Sequence, residues 1–355
     1  MSAYILSFIG FLSGIILLFK LRPSHSKTST HHQKISIIIP ARNESLRLPF
    51  LLESLQKCPH EVIVVDDESE DDTASIATSY GAKVIQPETR PQGVKGKPWA
   101  LLCGVKHAQH DIVLLLDADT IIQPGGLDKI LSIYLETETP LSIQPYHHMK
   151  KSYERLSVLF NLVVVMASNT FQLFNKKQKI SAFFGPTQMM KKQEFIHYAS
   201  KKDVNTKVLD DIELGKSILN DHIQIRSMIG QGIVSFRMYP EGILAVLKGF
   251  GKNFATGAIA INVWVTIWIS LWLSGIYATI NAMIQGIIYG EFIYAIILYV
   301  LHGLFLYMTS RHIGNFKISL VLLFPIHALF FLFTFIYSFF TIYILKTNQW
   351  KGRQV

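Results

Sequence analysis

The last hundred residues are almost free of charge. Of 34 basic and 25 acidic residues in a chain of 355, only Glu291, Arg311, Lys317, Lys346, Lys351 and Arg353 lie beyond residue 254. Uncharged runs cover 253–290, 292–310 and 318–345. A helix needs about 20 apolar residues to cross the hydrocarbon core, so a membrane region of two to four spans is expected over 251–346. A purely soluble chain, a disordered chain and a coiled coil are excluded. Residues 2–19 form another uncharged run, followed by Lys20, Arg22 and Lys27. A cleavable signal peptide carries its positive charge before the apolar run. Here the charge follows, which predicts an uncleaved anchor over 1–22 with its N-terminus outside, then a polar linker over 23–34.

The same charge rule orients the rest. Lys248 and Lys252 mark a cytosolic entry, Arg311 and Lys317 a cytosolic return, and Lys346, Lys351 and Arg353 a cytosolic tail over 347–355. Three simple crossings would leave that tail outside. One stretch is therefore expected to lie in the interface or to break into a hairpin, with Pro325 as the break point. The run 156–174 is also uncharged, but Asn161, Ser168, Asn169, Thr170 and Gln172 are costly among lipid chains. It is expected on the membrane surface or in a core, with 155–175 as an interfacial helix. The net charge of +9 reads as positive-inside bias and attraction to a bilayer with anionic headgroups, so no nucleic acid partner is expected. Two cysteines, Cys58 and Cys103, give no disulfide framework. These signals predict a multi-pass protein of the cell membrane whose main folded part is on the cytoplasmic face.

That folded part is expected over 35–250. KISIIIP, EVIVVDD, KVIQ and DIVLLLDAD read as strands, and LRLPFLLESLQKC, DTASIATSYG and KPWALLCGVKHA as the helices between them. Strict alternation predicts an α/β domain with a mainly parallel, Rossmann-like sheet, whose ligands gather at the carboxyl ends of the strands. Three polar clusters fall at those ends: Pro40-Ala41-Arg42-Asn43-Glu44, the acidic run from Asp66 to Asp72, and Asp117-Ala118-Asp119. Helix capping accounts for Asp71, Asp72 or Thr73 but not for three clusters in register.

Alternate residues of an extended chain face one side, so Asp117 and Asp119 can address one point. Hard carboxylates without nearby cysteine suit Mg2+ or Mn2+, an ion that completes its shell with phosphate oxygens. Lys95 and Lys97 add cationic contacts to such a diphosphate. Arg42, Glu44 and Asp67 are suited to hydrogen-bonding a base or ribose, with Pro40 in the same nucleotide-sugar site.

The ordered series IIIPARNE, VIVVDDESEDDT, GKPWALLCG, LLLDAD and LDDIELG resembles the family 2 inverting glycosyltransferases of GT-A fold over residues 35 to about 240. The resemblance implies that Asp67 binds uracil or ribose, that Asp119 with Asp117 holds the metal, and that an acidic pair supplies the catalytic base. The family's pair is Glu-Asp. Here it is Asp210-Asp211, with Asp211 favoured as the base and helix capping as the competing reading. Many members carry Gln/Arg-x-x-Arg-Trp further on. Here Arg237 followed by Tyr239 departs from it, which argues against a processive synthase and leaves Arg237 as a diphosphate contact.

SIQPYH (142–147), YERLSVLFNL (153–162), FGP (184–186), FRMYPEG (236–242) and WKGRQ (350–354) further resemble a branch of that family acting on C30 carotenoid acids. That implies a UDP-glucose donor and transfer to the carboxyl group of an apolar lipid acceptor. The alternatives are a glucosyltransferase for a hydroxyl lipid, such as a diacylglycerol, hopanoid or ceramide, and an inactive sugar-nucleotide or lipid-binding membrane protein. The complete set of Asp67, Asp119 and Asp211 argues against the latter. A small transporter is disfavoured by the lack of intramembrane charges.

Overall fold

The computed structural model describes residues 2–23, 32–56, 58–174, 183–201, 210–260, 262–290, 292–344, 349–350 and 353–354, for some of these (Asp210 and 252–260 among them) the backbone alone. Most of the linker at 23–34, the side chain of Asp210 and most of the tail at 347–355 lie outside the described residues. The chain divides into a helical unit, Met1–Arg22, His148–Ser181 and Met238–Val355, and an α/β unit, Pro23–His147 and Ala182–Arg237. The helix α1 (Ser2–Leu18) belongs to the first.

The α/β unit alternates β1 (Ser36–Ala41), α2 (Leu48–Ser54), β2 (Glu61–Asp66), α3 (Thr73–Ser79), β3 (Lys83–Ile85), α4 (Gly96–His107) and β4 (Ile112–Leu116), as the pattern predicts. Ile37, Ile38 and Ile39 are all buried, as are Val113, Leu114 and Leu115, because helices cover both faces of these parallel strands. The chain continues through β5 (Thr120–Ile122), α5 (Gly126–Leu135), β6 (Leu141–Gln144) and β7 (Tyr146–His147). After α6 (Val158–Ala167) of the helical unit come β8 (Thr187–Lys191), α7 (Lys192–Ala199), α8 (Asp210–Asn220), β9 (Arg226–Ile229) and β10 (Val234–Phe236). The main sheet has the order β3-β2-β1-β4-β8-β6-β9, and β5-β10-β7 form a smaller one. β3, β2, β1 and β4 run parallel, whereas β8 lies antiparallel to both β4 and β6. The unit is thus a mixed, mostly parallel α/β domain of GT-A type.

In the helical unit, α9 (Ile243–Ala260), α10 (Val263–Tyr289), α11 (Ile293–Ile313) and α12 (Leu320–Phe339) follow. Val263–Tyr289, Ile293–Ile313 and Leu320–Ile342 are long and apolar enough to cross a membrane. Pro325 does not break α12. It lies in the second helical turn, where its missing N–H forfeits a single bond.

α1 packs antiparallel on α10 through small residues. A Cβ on Gly10 would fall 2.4 Å from the Gly275 Cα, and the hydroxyls of Ser7 and Thr279 share a hydrogen bond of 2.6 Å. Close approach of backbones over small residues is how helices associate where no hydrophobic force favours one apolar partner over another.

The segment expected as an interfacial helix over 155–175 is α-helical over Val158–Ala167 only. Ser152–Ser157 is a 3-10 turn, and α6 has only ten residues, a rise of about 15 Å. Nine of the ten are buried, with the Phe160 ring stacked 4.4 Å from Phe250 and 4.8 Å from Phe331. This run is part of a packed core.

Candidate active site

The loops that leave β1 and β2 are laced together. Asn43 N–H donates to Ser69 Oγ at 3.0 Å, and Glu70 N–H to Asn43 Oδ1 at 2.8 Å. Glu44 N–H reaches Thr73 Oγ1 at 2.9 Å, and Ser45 N–H reaches Asp71 Oδ2 at 3.1 Å. Asn43 and Glu68 take left-handed backbone angles, φ 51° and 57°, which these turns require. Asp71 also accepts the Thr73 N–H at 3.1 Å. Burial pushes its pKa up, but the hydrogen bonds from Thr73 and Ser45 prevail and hold it at about 2. Asp71 is therefore a frame residue, although the N-cap position itself falls on Asp72, whose side chain makes no cap bond.

On that frame sits Asp67, buried at the end of β2, its N–H donating to Ala41 C=O at 2.9 Å. Buried Arg42 donates to Asp67 C=O at 3.2 Å and stands 3.9 Å from its carboxylate and 3.7 Å from Glu68. The first turn of α4 closes over it, since a Cβ on Gly96 would fall 2.5 Å from Asp67 Oδ2 and 2.9 Å from Arg90 Nη1. Arg90 is a basic neighbour that the sequence pattern does not reveal. Glu44 pairs with Arg47 at 3.2 Å.

The end of β4 is a different environment. Asp117 C=O accepts the N–H and the hydroxyl of Thr120 at 3.0 and 2.7 Å, fixing the turn. Both oxygens of its carboxylate meet Lys97 Nζ, at 2.8 and 3.1 Å. Half-buried Asp119 has its pKa pushed up to about 7 by burial, then by the charges of Asp117 and Glu44, with Arg47 and Lys97 opposing. Asp211, at the start of α8, is bordered by Pro98, Leu101, Phe195 and Leu214. Burial pushes its pKa up, Lys97 pulls it down, and Asp117 adds to the rise. Asp119 and Asp211 thus each lie within electrostatic reach of Asp117 and Lys97.

Other expected residues fall where topology puts them. Phe236 stands opposite Thr120 in the β5–β10 ladder, so Asp119 and Arg237 leave the same end of that strand pair. Pro40 is in register with Val65, one step before the loop that holds Arg42. Among the described residues no three or more His, Cys, Asp or Glu side chains form a ready-made chelate. A divalent ion here would have two carboxylates, Asp117 and Asp119, and would need its remaining ligands from elsewhere. This donor set is hard and oxygen-only, with Lys97 on Asp117 as its cation, and it fits an ion carried in with a diphosphate.

The family model described as Glycosyl transferase family 2 matches residues 36–198. The chain is 39% identical over 233 residues to a 4,4'-diaponeurosporenoate glycosyltransferase of Staphylococcus haemolyticus, a match spanning 64% of this chain and 62% of that protein, less than two thirds of its length. It is 32% identical over 338 residues to the Staphylococcus aureus (strain MRSA252) protein of the same name, spanning 91% of this chain and 88% of that one. Among solved structures, glucosyl-3-phosphoglycerate synthase from Mycobacterium tuberculosis with Mn2+, UDP and glucosyl-3-phosphoglycerate is 18% identical over 68% of this chain and 88% of that one, at a TM-score of 0.44. S. aureus TarS 1–349 with UDP-GlcNAc is 16% identical over 90% and 93%, at 0.43. Superposition at that level is too loose to assign a ligand. The sequence match, which runs through nine tenths of the chain, makes this protein a glycosyltransferase and a member of glycosyl transferase family 2.

Proposed function

We propose that the protein transfers glucose from UDP-glucose to the carboxyl group of a C30 carotenoid acid, diaponeurosporenoate or a close analogue, with inversion at the anomeric carbon. The observation that carries this reading is the gathering of Asp117, Asp119, Asp211 and Lys97 at one strand end. Asp67 and Arg42 hold the base and ribose, with Glu44 and Pro40 beside them, and Lys97 and Arg237 contact the diphosphate. Asp119 with Asp117 holds Mg2+ or Mn2+, which when bound stabilises the negative charge of the departing diphosphate. The acceptor oxygen attacks C1 from the face opposite the diphosphate. The C1–O bond breaks and UDP leaves with its electron pair.

The acceptor class rests on the names of the relatives and on three helices apolar enough to lie in lipid. A second reading, a hydroxyl lipid, is favoured by Asp211. An alcohol must lose its proton as it attacks, and a half-buried carboxylate with a raised pKa is suited to take it. Asp210 stands beside it in the chain as the other candidate. Membranes containing the full chain should convert labelled UDP-glucose and a carotenoid acid into an alkali-labile glucosyl ester. Label appearing only in diacylglycerol-type lipids would overturn the carboxyl acceptor in favour of the alcohol.

The α/β unit is proposed to face the cytosol. Because α1 is antiparallel to α10, Lys20 and Arg22 emerge at the end of the bundle where α10 starts. Thr279 bonds His302 across to α11 at 3.2 Å, and α11 returns Arg311 toward that end. The second half of α12 packs its Phe331 on Phe160 and its Tyr337 against Gly251, segments that precede the first span. This supports a helix that returns instead of crossing, and so a cytosolic tail. A reporter fused after Val355 should be shielded from protease in intact cells.

A further inference from the structure

The tripeptide Phe184-Gly185-Pro186 has no part in the scheme above, yet each of its residues meets a different piece of the site. Phe184 N–H donates to Ser142 Oγ at 2.5 Å, and the Ser142 hydroxyl donates back to Phe184 C=O at 3.2 Å. Pro186 C=O accepts the Asp117 N–H at 3.0 Å. Between these two anchors, Gly185 stands so close to Asp211 that a Cβ on it would fall 2.0 Å from Oδ2 and 2.4 Å from Cγ. The next residue, Thr187, opens β8, which is hydrogen-bonded between β4 and β6.

Each contact has a physical consequence. Ser142 is fully buried, and its one hydroxyl satisfies both a donor and an acceptor of the Phe184 backbone. Removing it strands two buried polar groups. The backbone at Gly185 is outside the left-handed region, so the demand for glycine comes from the space that the Asp211 carboxylate takes up and not from φ. Because Pro186 holds Asp117 and Gly185 abuts Asp211, the three residues fix the separation of two carboxylates that lie 94 positions apart in the chain.

We infer that Phe184-Gly185-Pro186 is a strut that sets where the Asp211 carboxylate stands relative to Asp117, with Gly185 a positioning residue for the transfer step. This rests on the proposed reading of Asp211 as the acceptor-side group. An alanine at 185 would move the Asp211 carboxylate while leaving Asp67 and Asp119 in place. A misplacement of about 1 Å at a reacting group can cost on the order of 10²-fold in rate.

The test uses the full chain in membranes, with UDP-glucose as the varied substrate. Gly185→Ala should lower kcat by about tenfold or more while KM for UDP-glucose stays within about twofold. Added to Asp211→Asn, it should cost nothing further. Ser142→Ala adds no bulk, and should give a smaller loss of the same kind that also disappears in the Asp211→Asn background. Equal losses in both backgrounds, a proportional rise in the donor KM, or full activity of both variants would overturn the strut. Full activity of Asp211→Asn alone would overturn the reading of Asp211 and the strut with it. An impaired Asp211→Asn beside an unimpaired Gly185→Ala would sink the strut only.

Discussion

Asp71 and Asp119 are the same side chain beyond the carboxyl ends of two parallel strands of one sheet, and the fold treats them in opposite ways. Asp71 is surrounded by donors, the N–H groups of Ser45 and Thr73, which outweigh burial and hold its pKa at about 2. The pKa of Asp119 is pushed up to about 7 first by burial and then by the charges of Asp117 and Glu44, which Arg47 and Lys97 only partly offset. A carboxylate whose lone pairs are already bonded belongs to the scaffold. One that is held among like charges stores a demand for a cation. The contrast separates frame from chemistry in a run of acidic residues that composition alone cannot sort.

The sharpest way to break the contrast is Asp119→Ala. Transfer should fall by about 10³ or more, the scale of losing several kcal/mol of charge stabilisation, with little change in melting temperature. Full activity in EDTA would show that no divalent ion is needed. Next in size is the comparison of Asp211→Asn with Asp119→Asn. For a hydroxyl acceptor, loss of a general base costs about 10² to 10⁴. A carboxylate acceptor is already ionised, so Asp211→Asn should then retain more activity than Asp119→Asn. Equal, near-complete loss in both would move the acceptor to an alcohol.

Smaller effects concern stability. With its folded pKa raised from 3.8 to about 7, Asp119 binds a proton more tightly in the folded state. Its stabilising contribution is complete at low pH and is lost as pH rises through about 7. Metal-free wild type should therefore melt at a lower temperature at about pH 8 than at about pH 5, and Asp119→Asn should flatten that slope. Mn2+ should raise the melting temperature of the wild type at the higher pH and leave the variant unmoved. The smallest effect is Asp71→Ala, a loss of about 1 kcal/mol of the kind seen for caps. Asp71 has a lowered pKa, so its contribution is present above about pH 4 and disappears as pH falls toward 2. A variant as stable as wild type at neutral pH would remove Asp71 from the frame.

The β1 to β4 alternation was legible because each strand is a short β-branched run closed by a turn, and the candidate site was legible where it lies at those strand ends. Three things were not. β8 arrives from 70 residues downstream and reads TQMMK, with no alternation to mark an antiparallel strand. Lys97 reads as a diphosphate contact, but its pairing with Asp117 depends on how α4 packs. The uncharged run at 156–174 conceals a break, because Asn169 takes φ 60° just after α6 and the chain turns there. Charge counts register what a segment avoids, and a left-handed residue or a long-range contact leaves no trace in them.

The antiparallel seam between α1 and α10 bears on how the protein is made. Gly10 and Gly275 must meet backbone to backbone, yet 264 residues of synthesis separate them, roughly 10 to 50 s at ordinary elongation rates. For that interval α1 is without its partner and Ser7 without Thr279, while the entire α/β unit emerges and can fold. A helix made before the α/β unit is thus completed only after it, so the helical unit closes only once the catalytic unit has been translated.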